Sequence, residues 1–213
     1  ATVTEAIDEG VQLPHPTQEP DDSLFAAAAS VLVGQIDKVD GGFGAAPKFP
    51  QTFAIDALLR QYARTGDSAA LDAALLSLDA MAAGGIYDHL GGGFARYATD
   101  KRWLIPHFEK MLYDEALLAR VYLHAWQLTG EPRFLQTLEE TIEYVLRDLR
   151  HPLGGFYSAE DADSEGVEGK FYVWSINEVR EICGDDADAV IEWFGVTDHG
   201  NWEHTNILER VVR

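Results

Sequence analysis

The sequence predicts an all-α fold: part of a toroid of αα-hairpins carrying one small β-hairpin insertion. Three observations carry that expectation. Apolar residues recur at helical spacing over seven segments. Gly-Gly-Phe recurs at 41–43, 92–94 and 154–156, offsets of 51 and 62 residues. An outer helix, an inner helix and a glycine-aromatic loop therefore form a repeating unit. A 213-residue chain holds about four such units, whereas a ring of six needs well over ~300 residues.

Residues 1–22 are polar, with Pro14, Pro16 and Pro20 and no apolar period, and read as a linker. The toroid part then occupies 23–213. Its first helix is expected over Ser23–Val39, stopped by Asp40-Gly41-Gly42. A second spans Thr52–Arg64, and a third runs to Ala83 from Asp67 as N-cap. The turn Thr65-Gly66 makes these two a tight hairpin. The fourth, Phe108–Thr129, is apolar on most of its circumference and belongs inside. The fifth starts at Pro132 and reaches about Arg150; it is amphipathic, hence outer. Ser175-Ile-Asn-Glu178 is a capping box for a sixth helix to Ile182, and 186–194 gives a seventh. Alternation in Phe156-Tyr157 and Phe171–Trp174 predicts the β-hairpin, with the acidic run as its turn.

Sixteen Lys and Arg against 36 Asp and Glu give a formal charge of -20, which repels nucleic acid and anionic membrane surfaces. Between Phe156 and His204 thirteen acidic residues face only Lys170 and Arg180. The single cysteine, Cys183, excludes an internal disulfide or CxxC site and fits a cytoplasmic, reducing compartment. No apolar run approaches the ~20 residues that cross a bilayer.

Longer motifs carry a resemblance. They are Gly41–Pro50 (GGFGAAPKFP), Gly84–Tyr97 (GGIYDHLGGGFARY), Trp103–Asp114 (WLIPHFEKMLYD) and Gly154–Glu165 (GGFYSAEDADSE). Together they resemble the YyaL-type, spermatogenesis-associated thioredoxin-domain proteins. The resemblance implies a thioredoxin-like domain ahead of residue 1 and a six-hairpin toroid similar to N-acylglucosamine 2-epimerases and six-hairpin glycosidases. This chain is then its first part, without the redox motif. Gly200–Leu208 resembles the family's next loop, with His204 where the family has glycine.

Candidate chemistry concentrates in those loops. His107 and Glu109, with Lys110, Tyr113 and Asp114 at i, i+3 and i+4, are expected to share a helix face. A histidine beside a carboxylate suits proton movement at a sugar carbon or glycosidic oxygen; capping and a buried ion-pair network is the alternative. Asp88-His89 is a second site, with Arg96 and Tyr97 nearby; His89 is a second acid-base candidate and Arg96 a clamp for an anionic group. Asp161 and Asp163, in an acidic run of five carboxylates from Glu160 to Glu168, offer the paired carboxylates of glycoside hydrolysis, and Glu160 is a substrate-binding candidate. The same run begins like a calcium loop but fails at Tyr172, and also reads as a solvated turn. Phe43, Lys48, Tyr87, Trp103 and Tyr157 complete the expected ligand-facing set. The H-x-E at 107–109 lacks the P-C-x-x-C partner of zinc deaminases, and Gly91–Gly93 lacks the GK[ST] of a phosphate loop. No metal or cofactor is expected. The predicted partners are a sugar-like small molecule and the thioredoxin-like domain. The predicted function is a carbohydrate-active domain, isomerase, epimerase or hydrolase; the alternative is a non-catalytic toroid that binds a ligand or client.

Overall fold

The computed structural model describes residues 21–211. The expected linker lies outside them except for Asp21 and Asp22. Asp21 accepts the backbone N–H of Ser23 at 2.9 Å and caps α1 (Asp22–Gln35). That helix stops short of Val39. Ile36 turns extended to bridge Phe43, and the Asp37 carboxylate collects the N–H groups of Val39 and Asp40. A short polar side chain that offers the backbone an alternative partner ends a helix in this way.

α2 (Thr52–Thr65) ends at Gly66 in the left-handed region (φ 75°), and Asp67 caps α3 (Ser68–Ala83) through the N–H groups of Ala69 and Ala70. β1 (Lys110–Met111) precedes α4 (Leu112–Thr129), which ends at left-handed Gly130. The fourth helix therefore begins four residues later than its apolar pattern implies. Phe108 sits at φ 59°, and β1 pairs antiparallel with β2 (Ala159–Glu160), so tertiary pairing wins over local periodicity. α5 (Pro132–Tyr144) carries proline in its first turn and continues as one π-helical turn to Leu149.

The two inner helices α2 and α4 pack against each other; α2 also packs on α1 and α3, and α4 on α5. Leu58, Leu78, Phe94, Trp103, Leu118 and Tyr122 fill the space between them with no more than 1% exposure. Each such side chain contributes roughly 1.5–3 kcal/mol of apolar burial. Short turns at Gly66 and Gly130 join the helices at one end. The long loops 36–51 and 84–111 lie at the other, where they are stitched together: Lys48 and Ala98 exchange both backbone bonds, and Arg96 N–H donates to Glu109 O at 2.8 Å.

The repeated glycine-aromatic loops have one geometry. Ile36 bridges Phe43, Tyr87 bridges Phe94, and Arg150 bridges Phe156. In each, the residue after the bridge (Asp37, Asp88, His151) accepts from the first glycine and donates to the second. The glycines take positive φ, and the second is roofed by a ring in two copies. A Cβ on Gly42 would lie 2.4 Å from Trp103, and one on Gly93 2.5 Å from Tyr144.

The β-hairpin differs from expectation. The segments around 156–157 and 171–174 do not pair with each other. The hairpin is instead the acidic run itself, β3 (Asp163–Ser164) with β4 (Val167–Glu168), and Phe156 pairs with Arg150. β5 (Val173–Trp174) pairs with β6 (Asn206–Ile207), so the chain between them leaves and returns at one place. That excursion carries α6 (Ile176–Cys183), opened by the expected Ser175/Glu178 capping box, and α7 (Ala187–Phe194). Within it His204 adopts φ 66°, so the turn keeps the left-handed backbone that glycine would favour.

Candidate functional site

Two buried lysines explain how the loops stand. Lys48 (0% exposed) donates to the Asp37 carboxylate at 2.9 Å and to Gly41 O at 2.8 Å. Lys110 (3% exposed) repeats this with Asp88 at 2.8 Å and Gly92 O at 2.9 Å. Hydrogen bonds from the Asp40 N–H and the Lys48 ammonium hold the Asp37 carboxyl at about 2. Burial pushes Asp88 up, but the charge of Lys110 and the Gly91 N–H outweigh it and leave it lowered. Lys48, Asp88 and Lys110 are thus committed to bracing the glycine turns. Lys110 lies on β1 and not, as its spacing to Tyr113 and Asp114 implied, on their helix face.

The loop ends of α2 and α4 carry a stack of rings. Phe49 stacks on Tyr97 (4.7 Å between centroids), and Tyr97 on the His107 imidazole (4.8 Å). Beside them the Arg96 guanidinium lies over Phe49 at 5.9 Å and over Tyr113 at 5.2 Å, and contacts Asp114 at 3.4 Å. Burial raises the pKa of Asp114, with Arg96 opposing it. The Nδ1 of His107 is 3.1 Å from Glu168 on the acidic hairpin, and its Nε2 has no hydrogen-bond partner among the described residues. Phe49 and Tyr113 are 36% and 46% exposed, so their faces are available to a ligand. The arrangement can stack a flat or ring-shaped ligand and orient an imidazole toward it through a carboxylate.

The remaining expected residues are elsewhere. His89 donates Nε2–H to Gly84 O at 3.1 Å and packs against Tyr87 and Phe194; burial lowers its pKa. It lines a cavity of about 300 Å3 between loop 84–111 and the β5–β6 pair, with Phe108, Tyr172, Trp174 and Ile207. Tyr87 hydrogen-bonds Glu140, and Trp103 is wholly buried, donating Nε1–H to Asp40 O. Phe43 packs on the core. Glu160 accepts from Tyr144 at 2.6 Å and Tyr172 at 3.0 Å; burial first, then this carboxylate, pushes both phenols up. Glu109 meets Arg96 through its carbonyl. Asp161 and Asp163 are exposed at the hairpin, where Asp161 accepts the Asp163 N–H, and Tyr157 lies exposed at the edge of His151. The structure therefore unites His107, Arg96, Tyr97, Tyr113 and Asp114, but not His89; Asp161 and Asp163 lie on the hairpin, where Asp163 stands opposite Glu168. Phe49, one of the loop aromatics that the sequence offers for stacking a sugar ring, joins the His107 group, whereas sequence reasoning missed Glu168 as the partner of His107. Glu168 is 61 residues from His107, and no spacing signal connects them. Among the described residues no three His, Cys, Asp or Glu side chains converge on a possible metal position.

Human spermatogenesis-associated protein 20 is 40% identical over 185 residues, 78% of this chain and 24% of its own length. The mouse protein of that name is 46% identical over the same number of residues. The chain belongs to the spermatogenesis-associated protein 20 family. It spans about a quarter of the length of these curated relatives. No protein-family model matches it. Among solved structures, the cellobiose 2-epimerase of Spirochaeta thermophila superposes with a TM-score of 0.55 at 20% identity, covering 68% of this chain and 41% of that one. A D-mannose isomerase gives 0.52 at 14% identity, covering 82% and 49%. These likenesses establish the α/α toroid architecture. Among the described residues no helix is long and apolar enough to cross a membrane.

Proposed function

We propose that this part of the toroid forms one wall of a carbohydrate-binding pocket, in which the rings of Phe49 and Tyr113 stack a sugar and His107 moves a proton. The observation that carries the reading is the continuous Phe49–Tyr97–His107 stack with Glu168 on the imidazole and Arg96 alongside. The fold shared with sugar epimerases and isomerases supports it. In this reading Arg96 donates to ring hydroxyls or an anionic substituent. Glu168 orients the imidazole, and Nε2 faces the substrate.

A second reading is favoured by one fact: His89 is buried away from the stack, so among the described residues the mouth holds a single histidine. Inverting a sugar carbon takes groups on both faces. A non-catalytic toroid that presents a ligand or client to a thioredoxin-like domain needs only the platform.

The test is a panel of mono- and disaccharides against the full-length protein, with thermal shift and turnover measured in parallel. Catalysis predicts that His107→Ala abolishes turnover while the sugar-induced Tm shift persists. A binding module predicts the shift without turnover in either protein. Absence of any saturable shift, or a shift that survives loss of both Phe49 and Tyr113 side chains, refutes the carbohydrate pocket, catalytic or not.

A further inference from the structure

Away from the mouth, a trough of about 680 Å3 runs between α3, α5, α7 and the segment 209–211. A second lobe of about 320 Å3 continues it and shares Asp79, Arg133, Trp193 and Arg210. None of the side chains of the ring stack lines either lobe.

Three carboxylates and three guanidinium groups line the larger lobe, so its charges balance in number but not in pairing. Each of its three carboxylates has a cation: Asp40 with Lys101 (3.4 Å), Asp79 with Arg133 (2.7 Å) and Glu209 with Arg102 (2.6 Å). Arg210 is left over. Among the described residues Lys38, Arg150 and Arg210 have no carboxylate within ion-pair distance, and of these only Arg210 is withdrawn from the exposed surface. Its backbone is fixed, since its N–H donates to Ala83 O at 2.7 Å. Its guanidinium makes no hydrogen bond among the described residues. Glu140, in the second lobe, takes its bonds from Tyr87 and Gln136 and is beyond ion-pair distance of Arg210.

The Arg210 donors are left to water alone, without a protein acceptor among the described residues. An oxyanion in the trough gives them one, and the planar fork of arginine suits carboxylate and phosphate alike. Beside it Trp193, 45% exposed, offers an indole face to both lobes; its carbonyl is held by the Val211 N–H at 3.1 Å. The cavity volume falls within the ~300–1,000 Å3 of small-molecule sites. We propose that this trough is a second ligand site, taking a carboxylate or phosphate joined to a flat apolar group. Arg210 forks onto the oxyanion, and Trp193 packs on the flat group. On a chain of charge -20 the attraction is local, so binding depends on this one guanidinium and not on the general field.

Isothermal titration of the full-length protein with phenyl phosphate, benzoate and inorganic phosphate tests this. At least one aryl probe is expected to bind saturably, with Arg210→Gln weakening it tenfold or more and Arg210→Lys less, because the charge survives while the fork is lost. The tighter aryl probe names the oxyanion. Inorganic phosphate is expected to bind at least tenfold more weakly than phenyl phosphate. Trp193→Ala is the second variant: it should weaken the aryl probes and leave inorganic phosphate unchanged. Failure of both aryl probes to saturate, wild-type affinity in Arg210→Gln, or equal affinity for phenyl phosphate and inorganic phosphate overturns the proposal.

Discussion

Glu115 gives the sharpest energetic prediction. It sits on α4 with no exposure; one carboxyl oxygen accepts the Phe94 N–H at 2.9 Å, and the other, Oε2, is buried without a partner. Burial pushes its pKa from 4.5 to about 8, against the Phe94 N–H and the nearby Lys110, both of which favour the charged form. The folded state thus holds a proton that the unfolded chain releases near 4.5. Below that pH both states are protonated and Glu115 contributes no pH dependence. Between 4.5 and about 8 stability falls as pH rises, and above about 8 it levels off. At ~1.4 kcal/mol per unit the full shift amounts to about 5 kcal/mol, an upper bound for a group that relaxation and Lys110 can ease. Glu115→Gln keeps the shape and the Phe94 acceptor but cannot ionise. Its unpartnered amide adds a constant offset of about 1–3 kcal/mol. Urea unfolding of wild type and variant from pH 5 to 9 is the assay. The variant should gain on wild type by several kcal/mol across that range. A difference that stays constant from pH 5 to 9 refutes the reasoning.

Three further outcomes follow from the loops. Gly93→Ala combines positive φ with a clash against the Tyr144 ring and should cost about 3 kcal/mol or more, whereas Gly155→Ala, where a Cβ meets nothing within 4 Å, should cost only about 1–2 kcal/mol of backbone strain; Tm values compare the two. Lys48→Met strands the Asp37 carboxylate and Gly41 carbonyl and should destabilise by about 2–4 kcal/mol, with much of that recovered in the Lys48→Met, Asp37→Asn double variant. Asp161→Asn and Asp163→Asn, on the exposed hairpin, should each change stability by less than about 0.5 kcal/mol and leave any sugar-induced Tm shift intact.

Much of the fold was legible. Gly66, Asp67, Gly130, Pro132 and the Ser175/Glu178 box act locally, so their helix boundaries follow from residues a few positions apart. The errors arose where distant segments decide. Met111 and Lys110 read as helix until Ala159 and Glu160 claim their backbone, and Ile36 as helix until Phe43 does. The site was legible only in part. The motif around His107 pointed to the mouth, but its carboxylate partner, Glu168, comes from a hairpin 61 residues away. Lys48, Asp88 and Lys110 carry the residue types of a catalytic cluster and serve as braces. Only the third dimension distinguishes these roles, because charge and spacing are the same for both.

The joining of Val173 to Ile207 sets the two small helices apart from the rods as a side excursion. Because the detour begins and ends at neighbouring points, a change in the length of its two small helices does not alter the spacing of the strands that anchor it. Trp193 rides on that detour, so a change in these helices reshapes one wall of the outer groove while the central rods keep their places.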